Sequence, residues 1–202
     1  MGVTRKQAEN IASVLSEGMP YIQSFYGKII VVKYGGAAMS DVSLKKGFAR
    51  DIALMKLVGM KPVIVHGGGP QIAKELKKAG VTSDFNSGLR ITDQSTMAVV
   101  KKVLGIKVNH EISTLISKSG ALSKGLNYKN SEIVRASKLI GEYGLDLGLV
   151  GKVDKIKTRD IRNLLSKDII PVISPIGLDM NSQGLNINAD LTAGFIASEI
   201  NS

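Results

Sequence analysis

Two glycine-rich turns, each directly after a short apolar run, are the residues of this sequence best suited to chemistry. The stretch KYGG (residues 33–36) follows one run and the stretch HGGGP (residues 66–70) follows the other. Glycines let a backbone approach a ligand closely, and a following helix points its free N–H groups and positive dipole end at that ligand. The turns therefore predict sites for two anionic groups, and Lys33 favours a phosphoryl group as one of them.

Neither turn matches a common nucleotide motif, because the spacings G-x-G-x-x-G and G-x-x-x-x-G-K-[ST] are both absent at these positions. The triple glycine nevertheless exceeds what a simple turn needs and carries a high cost in chain entropy. The structural alternative to a phosphate-binding role for Lys33 is a strand-end lysine whose ammonium group extends into water. His66 is interpreted as a packed strand-end residue, with a general base as the less favoured alternative, and neither His66 nor His110 belongs to a metal-binding pattern.

Two further polar sites stand out downstream. Arg90 lies in a polar turn, and its planar guanidinium can bind a carboxylate through two hydrogen bonds, although surface arginines are common. The stretch NINAD (residues 186–190) places two amides and a carboxylate before a predicted helix. Its spacing favours Asp190 as a helix N-cap, and ligand binding is the alternative.

Strands and helices alternate along the chain. We predict strands at 29–33, 62–66, 120–126, 131–137, 147–154 and 169–174, and helices at 43–58, 70–79, 94–118, 158–167 and from about 190. Asp93 is placed to cap the longest helix. Nearly continuous apolar strands favour a parallel sheet covered on both faces, with ligands beyond the carboxyl ends of the strands.

An amphipathic helix is predicted at 7–19, before the first core strand, with Ile11, Val14, Leu15 and Met19 on one face. Pro20 is expected to kink or interrupt it. The apolar face either packs back on its own domain or packs on another subunit.

Composition limits the function classes. The 202 residues fit one domain and include no cysteine, which excludes disulfides and thiolate sites. The net charge of +10 has two interpretations, a lysine-rich solvated surface or a field that attracts acidic metabolites. The scattered lysines argue against nucleic acid, and no apolar run approaches the ~20 residues of a membrane span. The polar N-terminus does not look like a signal peptide, so we expect a cytoplasmic protein.

Six collinear stretches resemble the N-acetylglutamate kinases of the amino-acid kinase family, in their arginine-sensitive type. They are VVKYGG (31–36), HGGGPQI (66–72), GLRITD (88–93), DLGLVG (146–151), PVISPIG (171–177) and NINAD (186–190). The resemblance implies an α/β fold, a three-layer α/β/α sandwich with a mainly parallel sheet. It also implies ATP-dependent phosphorylation of the side-chain carboxylate of N-acetyl-L-glutamate in arginine biosynthesis.

The resemblance further implies a role for each site residue. Lys33 and Asp190 are expected to be catalytic, Lys33 with Gly35 and Gly36 to bind the phosphates of ATP, and Gly68, Gly69, Arg90 and Asn186 to bind N-acetylglutamate. Mg accompanies ATP, and no residue of the chain is assigned to a metal. The expected partners are N-acetylglutamate and further copies of the chain, as a homodimer or a hexamer linked through the N-terminal helix, with Tyr21 near an arginine site.

Two departures from the family pattern qualify these expectations. The chain ends where the family's nucleotide lobe begins, which gives an interaction helix at 1–26 and a kinase domain at 27–202 that lacks most of that lobe and its second catalytic lysine. We therefore expect very low activity from the 202-residue chain, and a binding or assembly module is the alternative function. Residues 121–127 also depart from the family's Gly-Leu-Ser-Gly-Lys-Asp-Gly stretch.

Overall fold

A computed structural model describes residues 2–200 of the protein. The α-helices are α1 Arg5–Phe25, α2 Val42–Leu57, α3 Gly69–Lys78, α4 Gln94–Lys102, α5 Asn109–Lys118, α6 Arg159–Leu165 and α7 Ala189–Ile200. The strands are β1 Ile29–Tyr34, β2 Lys61–His66, β3 Phe85–Asn86, β4 Leu89–Arg90, β5 Ser123–Leu126, β6 Val134–Ile140, β7 Asp146–Ile156, β8 Ile170–Ile173, β9 Ile176–Leu178 and β10 Gly184–Asn186.

The main sheet is parallel throughout, with strand order β1-β2-β8-β5. Its central strands are covered on both faces, because every residue of β8 and all but the first of β2 are buried. Right-handed crossovers place the helices that lead from β1 to β2 and from β2 to β5 on one face, and α6 and α7 on the other. In agreement, α2 packs against α5, whereas α7 packs against β1 and β2. The predicted three-layer α/β/α sandwich is confirmed.

The strands predicted at 131–137 and 147–154 exist, as β6 and β7, but they do not join the parallel sheet. They pair with each other in antiparallel orientation and, with β9 and β10, close a small mixed barrel. The physical reason is the short connection of residues 141–145, since a tight turn can join antiparallel strands whereas a parallel pair needs a long crossover. The strands β9 and β10 were not predicted from the sequence.

The long helix predicted at 94–118 begins where expected, because Asp93 Oδ1 accepts a hydrogen bond from the Thr96 N–H at 2.7 Å. It is not a regular α-helix throughout. Residues Val103–Val108 form a π-helical segment between α4 and α5, and its buried members include Leu104 and Val108. Such widened turns occur often at functional sites, and this one lies beside the triple glycine.

The N-terminal helix is longer than predicted and leaves its apolar face uncovered. Pro20 does not interrupt α1, which runs on to Phe25. The carbonyl of Ser16, which loses its partner at Pro20, belongs to an exposed residue and can be solvated. The helix also buries none of its residues, so its apolar face is not packed back on its own domain. Among the described helices, none has the length and apolar character to cross a bilayer.

Candidate active site

The two glycine turns lie side by side because they follow neighbouring parallel strands. Tyr34 and His66, the last residues of β1 and β2, are in register. Directly beyond them, the Gly67 N–H donates to Tyr34 O at 2.7 Å. A β-carbon on Gly67 would also come within 3.9 Å of the Gly35 α-carbon. The strand order therefore brings both predicted anion sites to one edge of the sheet, as parallel α/β folds do with their ligand sites.

Lys33 and Asp190 form an ion pair across this edge, with Lys33 Nζ 3.2 Å from Asp190 Oδ1. The lysine also folds over the first turn, because a β-carbon on Gly35 would approach Lys33 Nζ to 3.0 Å. Gly36 has a φ of +66°, a conformation that favours glycine. Both side chains of the ion pair remain partly exposed, so the pair contributes little to stability and leaves the lysine accessible to a ligand.

Asp190 is not the N-cap that its spacing favoured. Asn188 holds that position instead, since its Oδ1 accepts from the N–H groups of Asp190 at 2.8 Å and Leu191 at 3.1 Å. The carboxylate of Asp190, in the first turn of α7, is thereby left to reach Lys33. The NINAD stretch does precede a helix, as predicted, but the capping side chain is Asn188 and not Asp190.

The three glycines of the second turn have different surroundings. A β-carbon on Gly68 would lie 2.5 Å from Leu104 Cδ2, so the π-helical segment packs against this residue. Gly69 has open space where a side chain would be. In the described chain, the N–H groups of Gly68 and Gly69 donate to no acceptor, and α3 begins at Gly69. Two unpaired donors at a helix N-terminus can bind an anionic group.

Arg90 lies on the β3–β4 hairpin and is held by local contacts. Its guanidinium lies over the Phe85 ring, 4.4 Å from the centroid, and its Nη1 donates to Ser83 Oγ at 3.4 Å. Partial burial lowers the pKa of Arg90 below its usual value. The group is still a cation at neutral pH, and stacking leaves other N–H donors available for a carboxylate.

Thr92 connects Arg90 to Asn186 and was not singled out as a site residue. Its Oγ1 donates to Arg90 O at 2.7 Å and accepts from Asn186 Nδ2 at 3.1 Å. The backbone of Thr92 also pairs with β7 at Gly148. The available signal was the position of Thr92 inside the GLRITD stretch, but a fully buried hydroxyl between two distant segments cannot be deduced from spacing.

A cavity of about 150 Å³ brings together four of the predicted residues. Gly68, Gly69, Arg90 and Asn186 all line it, together with Phe85 and Leu104. Lys33 and Asp190 lie outside the lining, but the cavity wall includes Ala189, the neighbour of Asp190 in the chain. The volume is small compared with the roughly 300–1,000 Å³ of drug-sized sites and suits a small anionic metabolite.

A larger cleft of about 840 Å³ lies elsewhere, between the end of β5 and the start of α6. Its charged side chains are largely paired with their own neighbours: Lys157 Nζ contacts Glu132 at 2.9 Å, and Ser131 Oγ donates to Asp160 at 2.7 Å. None of the predicted site residues lines it. The smaller cavity, which the predicted residues line, is therefore the candidate site.

The two histidines have different surroundings. His66 is fully buried, and burial lowers its pKa to about 4, so it packs as a neutral ring. His110 is exposed. Between residues 2 and 200, no group of three or more His, Asp or Glu side chains could hold a metal ion.

The relatives found by comparison with known proteins all point to one family. The family model described as the amino acid kinase family matches residues 28–202. The acetylglutamate kinase of Hydrogenovibrio crunogenus is 50% identical over 99% of this chain and 70% of its own length. That of Ruthia magnifica is 54% identical over 95% of this chain and 67% of its own length.

Solved structures agree on the fold. The N-acetylglutamate synthase of Neisseria gonorrhoeae, solved with coenzyme A and N-acetyl-glutamate, superposes with a TM-score of 0.82 at 21% identity, over 95% of this chain and 43% of that one. The protein smu.665 of Streptococcus mutans gives a TM-score of 0.77 at 30% identity, over 86% of this chain and 69% of that one. With sequence, fold and site in agreement, the chain belongs to the amino acid kinase family, in its acetylglutamate kinase branch.

Proposed function

We propose that the protein transfers the γ-phosphoryl group of ATP to the side-chain carboxylate of N-acetyl-L-glutamate, a step of arginine biosynthesis. The observation that carries the proposal is the convergence of Gly68, Gly69, Arg90 and Asn186 on one small cavity beside Lys33 and Asp190. The acetylglutamate kinase relatives favour phosphoryl transfer over a binding or assembly module. We expect the reaction in the cytoplasm, where ATP is available.

The cavity has a donor for each end of the acyl amino acid. Arg90 binds the α-carboxylate through its guanidinium, and Asn186, fixed by Thr92, contacts the same substrate. The free N–H groups of Gly68 and Gly69 receive the side-chain carboxylate and orient it for attack. This arrangement places the reacting oxygen at the edge of the sheet where Lys33 lies, and such positioning supplies much of the rate in phosphoryl transfer.

In the reaction, a carboxylate oxygen of the substrate attacks the γ-phosphorus of ATP. The bond from that phosphorus to the β,γ-bridging oxygen breaks, ADP leaves with the electron pair, and an acyl phosphate forms. Gly35 and Gly36 direct N–H groups at the phosphates, and Lys33 stabilises the charge on the transferring group. Asp190 holds the Lys33 ammonium in place, and magnesium bound to the nucleotide neutralises phosphate charge.

Replacing Arg90 with alanine should weaken N-acetylglutamate binding by about 1.5–3 kcal/mol, the range for hydrogen bonds to charged groups. Calorimetry with N-acetylglutamate and ATP in separate titrations measures the effect, and ATP affinity should be unchanged. The matched variant R90K keeps the charge but loses the bidentate geometry, so its loss of N-acetylglutamate affinity should be intermediate. Unchanged affinity for N-acetylglutamate in R90A would exclude Arg90 from the site, and no binding by the unchanged protein would contradict the proposed substrate.

We further propose that the protein self-associates and that α1 provides one of the surfaces. Ile11, Val14, Leu15 and Met19 are between 49% and 68% exposed. Leaving this face in water forgoes roughly 25 cal/mol per Å² of apolar burial. The family resemblance favours one of two assemblies, which are a hexamer built from dimers through α1 and a dimer alone.

Deleting residues 1–24 should therefore lower the mass measured by light scattering, from a hexamer to a dimer if α1 links dimers. The double variant V14D/L15D should do the same without shortening the chain, whereas K6E, at an exposed polar position of the same helix, should not. A mass that is unchanged by both the deletion and the double variant would show that α1 takes no part in assembly.

A further inference from the structure

A chain of buried hydrogen bonds runs from the long helix to the triple-glycine turn. Asn109, the first residue of α5, donates from Nδ2 to Val172 O at 2.9 Å, and the same nitrogen lies 3.2 Å from His66 Nε2. On the other side of the ring, His66 Nδ1 lies 2.8 Å from Gly67 O. Both side chains are buried, with His66 fully so.

The two ends of this chain fix the direction of every bond in it. Val172 O is a carbonyl oxygen and can only accept, so the Asn109 atom that faces it must be the amide nitrogen. The second N–H of that nitrogen then donates to His66 Nε2, which must be unprotonated. The ring proton consequently lies on Nδ1 and donates to Gly67 O, which again can only accept. Burial keeps the ring neutral, with its pKa lowered to about 4.

Asn109 has little freedom to adopt another arrangement. A β-carbon on Gly125 would lie 2.1 Å from Asn109 Oδ1, so the amide packs directly against the backbone of β5. This contact falls in the stretch 121–127 that departs from the family pattern. Glycine at position 125 is therefore required by the asparagine that the structure places beside it.

The carbonyl of Gly67 determines where the next N–H points. In a trans peptide, the C=O of one residue and the N–H of the next point in opposite directions. His66 draws the Gly67 carbonyl toward the buried ring, so the Gly68 N–H turns away from the core. The Gly68 N–H finds no acceptor in the described part of the protein, and Gly68 lines the cavity that contains Arg90.

We propose that Asn109 and His66 are positioning residues that fix the Gly67–Gly68 peptide with its N–H directed at the bound carboxylate. The inference rests on the proposed function for the identity of that carboxylate. Asn109 holds the ring at Nε2, the Nδ1–H of His66 holds the Gly67 carbonyl, and the substrate meets a donor that is oriented before it binds. A donor that buried side chains orient in advance increases the affinity for the ligand, because no reorganisation is required on binding.

Two substitutions at position 66 separate this role from simple packing. In H66N the Nδ2 amide occupies the position of the ring Nδ1 and can still donate to Gly67 O, whereas contact with Asn109 is lost. In H66Q the ε position still accepts from Asn109, but no donor reaches Gly67 O. N-acetylglutamate affinity should fall at least about tenfold in H66Q and less than about threefold in H66N, although both variants lose ring packing. Equal losses in the two variants would overturn the proposal.

A ligand-free measurement tests the same chain and does not depend on the substrate. Long-range ¹H–¹⁵N spectra of the unchanged protein should show His66 protonated at Nδ1 only. In N109L the ring loses its partner at Nε2, so the Nδ1 proton should exchange with solvent faster than in I112V, a variant at a buried position of the same helix. A ring proton on Nε2 in the unchanged protein, or equal exchange of the Nδ1 proton in N109L and I112V, would overturn the proposal. Failure of the unchanged protein to bind N-acetylglutamate would instead contradict the proposed function.

Discussion

Replacing Lys33 with alanine should abolish phosphoryl transfer by this chain, because even the very low activity expected of it depends on a cation at the transferring group. Removing a single well-placed electrostatic donor typically costs about 10²–10³ in rate, and a cation at the transferring phosphoryl group can contribute more. We expect Lys33 to act as such a cation, since its Nζ lies at the edge of the sheet 3.2 Å from Asp190 and close to the Gly35 turn. The fold should survive the change, because the lost ion pair is partly exposed and of small energy.

Trapping of the acyl phosphate with hydroxylamine measures the transfer and detects slow turnover. K138A is the matched control, because Lys138 is also an exposed strand lysine with a carboxylate partner, Asp146 at 3.8 Å, but it does not lie at either glycine turn. Turnover of K33A within tenfold of K138A would remove Lys33 from the chemical step. Calorimetry on K33A should still show N-acetylglutamate binding through Arg90.

Replacing Gly148 with alanine should lower the free energy of unfolding by about 3 kcal/mol or more and should also weaken N-acetylglutamate binding. Gly148 has a φ of +71°, and an added β-carbon would lie 2.3 Å from the backbone oxygen of Thr92. That oxygen accepts a hydrogen bond from the Leu149 N–H, as part of the β-bridge that joins the Thr92 segment to β7. Backbone cannot rotate away as a side chain can, so the segment that carries Arg90 must move.

Gly144 supplies the control for backbone strain alone. Its φ is +80°, but an added β-carbon would meet nothing within 4 Å. G144A should therefore cost only the left-handed conformation, about 1–2 kcal/mol, and leave ligand binding intact. Urea unfolding of both variants separates the cost of the left-handed backbone conformation from that of the steric clash with Thr92. Calorimetry measures N-acetylglutamate binding as the second readout. Equal losses of stability, or full affinity in G148A, would show that the Thr92 bridge does not position Arg90.

The sequence by itself determined the local features of this site. Apolar runs that end in glycines specified β1 and β2 with their turns, and Asp93 specified the start of α4. These signals are local, because strand period, glycine conformation and N-capping act within a few residues. The parallel sheet followed from the same pattern, since alternating strands and helices leave few other arrangements.

Local signals failed where two residues competed for one role or where a connection was too short. Both Asn188 and Asp190 can cap a helix, and only the arrangement at the start of α7 assigned the cap to Asn188 and the ion pair with Lys33 to Asp190. The apolar strands β6 and β7 looked like members of the main sheet, but the short turn between them produced a separate barrel. In α1, the exposed surroundings of Ser16 let the helix continue past Pro20.

The tertiary structure alone decided which distant residues meet. Asn186 contacts Thr92 across 94 positions of sequence, and Asn109 contacts His66 across 43. Each contact is a side-chain hydrogen bond, buried for Asn109 and part-buried for Asn186, whose partner is chosen by the packing of a helix or hairpin on the sheet. A buried polar group must find a partner, but its own sequence neighbourhood does not say which one. The residues proposed to bind ligands were therefore visible in the sequence, whereas those proposed to hold them in position appeared only in the fold.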